Sequence, residues 1–304
     1  MQLVSVFANV MDNENREINA LLHLIDDPDD EVYDTVSNRI LAYGRGIIPN
    51  LEHLWEITPD ATTQQRIELL IHRVHLQDLR QELQTWNNQA QPDLLAGLLL
   101  CSRYQYPEKD WTPQLTELQK VRRSIWLELN PFLTALEQVN VLGNILFNYH
   151  QFKGKEVNYS KPEEFLLPNL LLTKKGNAIG NGLLMLVLAN MLDLNLQLIA
   201  IPRQVILAYC NYLPAPFDPI FPPEHIQFYV DGASGQIYSF EDVEIYFKRI
   251  GVTPKDIFFK PLNNRQIIQT LLRELAKCFS APTQLYKKEE LLELATMIKD
   301  PDEE

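Results

Sequence analysis

The heptapeptide Gly176-Asn177-Ala178-Ile179-Gly180-Asn181-Gly182 runs straight into the apolar stretch Leu183 to Leu192, and its reading decides the fold. A glycine-punctuated turn that opens a buried helix is a place where a cysteine nucleophile can sit, because the positive end of the helix dipole favours the thiolate. The turn holds no cysteine, and Ala178 stands between its two asparagines. A methyl group has no lone pair and no ionisable proton, so no thiol acyl transfer is expected from this turn.

Downstream of the turn the periodicity changes. Leu196 to Ile201, Gln204 to Tyr209 and Ile226 to Val230 are short runs rich in Ile, Leu and Val, which predicts a small antiparallel sheet. The five residues Asp231-Gly232-Ala233-Ser234-Gly235 supply a turn after the third run. Between the second and third strands lies NYLPAPFDPIFPPEH (211–225), whose five prolines argue against regular structure. Phe217, Ile220 and Phe221 read as exposed apolar residues there, in a rigid lid on the sheet or a partner-binding loop.

Upstream, the chain is helical. Asp27-Pro28-Asp29-Asp30-Glu31 predicts an N-cap, a proline in the first turn and acids at the positive end of the dipole, followed by Val32, Val36 and Ile40 on one face and Gly44 as a stop. Further helices are expected at about 63–76, 78–87, 92–102, 113–129 and 134–148, the last opened by a Thr134-to-Glu137 capping box. One unit, residues 21–56, resembles a HEAT-like helical repeat, a single copy that is too few for a solenoid. Asn264 to Ile298 reads as two helices. The fold class expected is α+β and mostly α, divided into a helical region at 1–130, a core at 131–260 and a helical tail at 261–304.

The order of landmarks through residues 142–209 resembles the core of the SirB-type bacterial transglutaminase-like proteins. They are Leu146-Phe147, Phe152-x-Gly154, Tyr159, Pro162, Asn169, Leu172, Gly176 and Ile201-Pro202, with Asp231 and Gly235 beyond. The resemblance implies a papain- or transglutaminase-like core between a helical N-terminal region and a tetratricopeptide-like tail, with NNRQIIQTLLRELAKCF (263–279) as the start of that tail. It places the cysteine at Ala178, the histidine at Gln204 and the orienting carboxylate at Asp231. Two of the three chemical groups are thereby replaced, and a glutamine cannot exchange a proton near neutral pH as a general base must.

Other groups offer little chemistry. Asn177 and Asn181 either line an amide-rich cleft or serve the backbone, Asn177 as an N-cap. Cys210 with His225 on neighbouring strands reads as packing, and the register that the resemblance implies sets Gln204 opposite Asp231 and Cys210 opposite His225. The three cysteines, Cys101, Cys210 and Cys278, are far apart and odd in number, as suits reduced thiols. No histidine joins a carboxylate or cysteine at metal-ligand spacing, so neither metal nor cofactor is expected.

Forty acidic residues against 27 basic ones give a net charge of −13, which disfavours nucleic acid; Arg122-Arg123 and Lys174-Lys175 are the nearest basic clusters. No basic N-terminal segment leads into an apolar run, and polar residues interrupt the apolar stretches, so neither a membrane span nor any location but the cytoplasm is expected. The leading expectation is a pseudoenzyme that engages another protein or a peptide as an interaction or regulatory module. The alternatives are a hydrolase or transferase using Asp231 with amide side chains in the old cleft, and a peptide-binding module without chemistry.

Overall fold

The computed structural model describes residues 17–211 and 221–299. The chain divides into two compact units, Met1–Glu82 and Leu83–Glu304, and the division falls within one long helix.

The first unit holds α1 (Asp30–Leu41), α2 (Ile48–Ile57) and most of α3 (Ala61–Asn87). Its core gathers Val36, Ile40, Ile48, Leu51, Ile67, Leu70 and Val74 from the apolar stripes of the three helices, with Ile25 and Ile47 from the segments before α1 and α2. The cap of α1 is Asp29, whose side chain accepts the Glu31 N–H at 2.9 Å, while Asp27 accepts the Asp29 N–H at 2.9 Å. Pro28 therefore precedes the helix instead of standing in its first turn. Two Asp residues flanking Pro28 competed for the cap, and composition alone favoured the wrong one. The expected break near residue 77 is absent too, since α3 runs unbroken from Ala61 to Asn87.

In the second unit come α4 (Leu94–Gln105), α5 (Thr112–Glu128) and α6 (Ala135–Gly143), the last opened by the expected capping box of Thr134 and Glu137. A π-helical segment, Asn144–Tyr149, extends α6. β1 (Lys153–Lys155), α7 (Leu167–Thr173) and β2 (Lys175–Asn177) then lead into α8 (Ala178–Met191). β1 and β2 pair in parallel, which three-residue strands without apolar alternation could not announce. Every residue from Ile179 to Ala189 is buried, as expected of a helix apolar all round.

The main sheet is antiparallel in the order β3 (Leu196–Ile201), β4 (Gln204–Cys210), β5 (Ile226–Val230), β6 (Ile237–Tyr238). One face, with Ile199, Ile201, Ile206 and Ala208, forms a core with Val243 and Phe247 of α9 (Phe240–Ile250). Beyond β3, the Leu262 N–H donates to the Leu198 carbonyl at 2.8 Å, and Pro261 bridges Ile199. α10 (Asn264–Ala276) and α11 (Leu285–Met297) pack together at the end of the chain. The protein is thus a mostly helical α+β fold with small parallel and antiparallel sheets. No helix among the described residues is long and apolar enough to cross a membrane.

Candidate functional site

The start of α8 is assembled from short segments that reverse direction sharply. After α7, Lys174 takes the left-handed conformation (φ 55°), its amino group 3.0 Å from Glu117 and 5.3 Å from the centre of the Phe152 ring. The chain then enters β2, where Lys175, Gly176 and Asn177 pair with Lys153, Gly154 and Lys155. This pairing delivers Asn177 to the helix start. Its Oδ1 accepts the N–H groups of Ile179 at 3.0 Å and Gly180 at 2.9 Å, so Asn177 is the N-cap and is completely buried.

Removing that cap strands two amide donors in the core. Asn177→Ala is expected to cost about 1–2 kcal/mol, read as a lower urea midpoint, with Asn177→Ser recovering part of the loss. An unchanged midpoint in Asn177→Ala would show that the cap contributes nothing.

Asn181 lies one turn further on and is 2% exposed, and neither of its amide atoms has a hydrogen-bond partner among the described residues. A Cβ at Gly176 would fall 2.6 Å from Asn181 Oδ1, so the amide is folded back over Gly176. Ala178, between the two asparagines, is half-buried.

The turn after β5 closes on this helix start. A Cβ on Gly232 would stand 2.2 Å from the Ala178 carbonyl oxygen and 2.9 Å from Gly182 Cα. On the other side, a Cβ on Gly154 would stand 1.8 Å from the Ala233 carbonyl oxygen. The turn is therefore held backbone to backbone between β1 and α8. Gly235, at φ 73°, closes it, and its N–H donates to the Asp231 carbonyl at 2.8 Å. Asp231 organises the turn from within: its Oδ2 accepts the Ser234 N–H at 3.0 Å and the Ser234 hydroxyl at 2.6 Å. Sequence reading singled out Asp231 and Gly235 but missed Gly232 and the reason for Gly154. The signal available was a pair of glycines beside chemistry-bearing positions, which marks close backbone approach.

The remaining sequence-derived pairings are redrawn. Gln204 faces Ile201 across the two-residue turn Pro202-Arg203, where Arg203 has φ 72°. The β4–β5 ladder pairs Leu207 with Val230 and Ala208 with Tyr229, two residues away from the expected register. One step past the ladder Asp231 would oppose Ile206, so Gln204 and Asp231 are not direct partners. Alternation puts Gln204 on the face of Ile206 and Ala208, the face covered by α9. The apolar runs located the strands, but the register taken from the resemblance was two residues out, because a run of β-branched residues fixes a strand's place in sequence without fixing its stagger.

Cys210 pairs with Ile226 after a bulge, and His225 belongs to a short 3-10 turn (Pro223–His225) instead of a strand. Phe221 is not exposed: it is 1% accessible, in the core beside Val243 and edge-on to His225 at 5.6 Å. An aromatic at the end of a proline-rich loop gains more from the core than from water, and periodicity is silent in such a loop. Phe217 and Ile220 lie outside the described residues. Burial pushes all three thiols, Cys101, Cys210 and Cys278, up to about 12. His150 is held below the usual imidazole value by burial and by the Lys174 ammonium, and its Nε2 lies 3.1 Å from Ser124 Oγ.

A helix start buried in the core, a short parallel pair before it and an antiparallel sheet after it define the class. Residues 112–273, more than half of the chain, match the sequence profile of the Transglutaminase-like superfamily, and the chain belongs to that superfamily. No curated protein and no solved structure matches the chain.

Proposed function

We propose that the protein is a non-catalytic transglutaminase-like protein, a SirB-type pseudoenzyme that acts as a protein-interaction or regulatory module. The observation that carries this reading is the start of α8: the first helical residue is Ala178, its carbonyl is packed under Gly232, and the amides on either side are enclosed in the core. The chain's thiols add support, since each sits elsewhere with its ionisation suppressed by burial. A thiol that stays protonated is a poor nucleophile. Asp231, the one retained member of the triad implied by the resemblance, spends its Oδ2 on Ser234.

The expected result with amide and ester reporter substrates is no turnover above a heat-denatured control. Turnover that disappears in Asp231→Asn would overturn the proposal and favour an enzyme built on that carboxylate.

A further inference from the structure

One surface groove in the second unit combines features that no part of the helix-start site uses. It has a volume of about 450 Å³ and is lined by Glu128, Val141, Asn144, Ile145, Asn148 and Tyr149. One wall is the C-terminus of α5 and the other is α6 with its π-helical extension. The His150 N–H donates to the Ile145 carbonyl at 2.8 Å, the i to i+5 bond that defines the wider turn. π-helical turns are rare and recur at functional sites.

The wall has two kinds of surface. Val141, Ile145 and Tyr149, spaced by four, form the apolar stripe, and Tyr149 is 71% exposed. Asn144 and Asn148 form the polar edge, the Asn148 amide donating to Asn144 Oδ1 at 2.7 Å. The turn joining the two walls carries Phe132, 94% exposed, and the last turn of α5 carries Leu127, 64% exposed. A groove with an apolar stripe, an amide edge and exposed aromatic residues suits an amphipathic helix.

Charge specifies the partner further. Glu128 is the only ionisable carboxylate on the lining, is exposed, and forms no ion pair among the described residues. At about 100° per residue, Arg122 and Arg123 stand about 120–140° round α5 from Glu128 and do not neutralise it. The chain's net charge of −13 adds a long-range attraction for cations.

We infer that this groove binds an amphipathic helix of a partner protein, with apolar residues at i, i+4 and i+7 on the Val141–Ile145–Tyr149 stripe and a lysine or arginine at its edge paired with Glu128. This rests on the interaction-module reading and names the surface and partner chemistry that reading leaves open.

The test uses the full chain and a capped helical peptide of about 18 residues, long enough to hold a helix. Leucines occupy i, i+4, i+7 and i+11, with lysines beside them; a second peptide carries glutamate for lysine. Fluorescence anisotropy is expected to show binding of the lysine peptide, weakened about tenfold by Glu128→Lys and by Tyr149→Ala. The glutamate peptide is expected to prefer Glu128→Lys over the wild type. Ile245→Asp, on α9, is expected to leave binding unchanged, and hydrogen exchange is expected to slow at residues 141–149. Absence of binding by the lysine peptide, or binding insensitive to Glu128→Lys, overturns the proposal. Protection at a different surface also overturns it while leaving the interaction reading intact, and turnover lost in Asp231→Asn removes that reading whatever the peptides do.

Discussion

Gly232→Ala is expected to destabilise the second unit by about 2–4 kcal/mol, and Gly154→Ala by at least as much. The new methyl carbon of the first would sit 2.2 Å from a backbone oxygen of α8, and that of the second 1.8 Å from the Ala233 carbonyl oxygen. Neither neighbour is a side chain that can swing aside. The turn must move off the helix or β1 must leave β2, and either movement gives up packing around α8. For a unit of this size the loss corresponds to a fall of roughly 5–15 °C in the thermal transition. Gly46→Ala is the comparison, because a Cβ there meets nothing within 4 Å, and its effect should stay within about 0.5 kcal/mol. Equal transitions for Gly46→Ala and Gly232→Ala would show that the turn is free to slide.

The second large effect concerns reactivity. In Ala178→Cys the new thiol is expected to react with a thiol-directed reagent about a thousandfold faster than any native cysteine. At about pH 7.5 a thiol pushed up to about 12 is ionised in roughly 3 molecules per 100,000, whereas an ordinary cysteine with a pKa near 8.5 is ionised in about one in ten. The N-terminus of a 14-residue helix would raise that fraction further. Mass spectrometry of the native protein after brief labelling, with Ala178→Ser as the blank, measures the ratio. Labelling no faster than the buried cysteines would mean that Gly232 and its turn seal the position from solvent. Adding Gln204→His is expected to leave the rate unchanged, because Gln204 projects on the sheet face covered by α9.

What could be read from the chain differed from element to element. The helix at 178–191 was legible because an unbroken apolar run has to be buried, and the capping box at Thr134 because its two partners are three residues apart. β3, β4 and β5 followed from short β-branched runs between turn residues. The helix break within 61–87 was misread because charged and polar residues on a helix surface resemble a boundary when no proline or glycine marks one. The site was half legible: Ala178, Asn177, Asp231 and Gly235 came from motif order, while the two-residue shift between β4 and β5 is a matter of long-range pairing that no local pattern announces. The contacts of Gly154 and Gly232 were illegible for the same reason. They join residues distant in sequence, and a glycine signals close approach without naming what approaches.

The pairing of Pro261 and Leu262 along β3 bears on how the sheet ends at that flank. A bare outer strand offers a row of amides and carbonyls to any extended chain, including another copy of itself. Here the chain has laid its own next segment along that row and included a proline, which has no N–H to extend the ladder. Growth of the sheet by strand addition is blocked on that flank, and the opposite flank, β6, is only two residues long. Sticking edge to edge is thus disfavoured at both ends of the sheet.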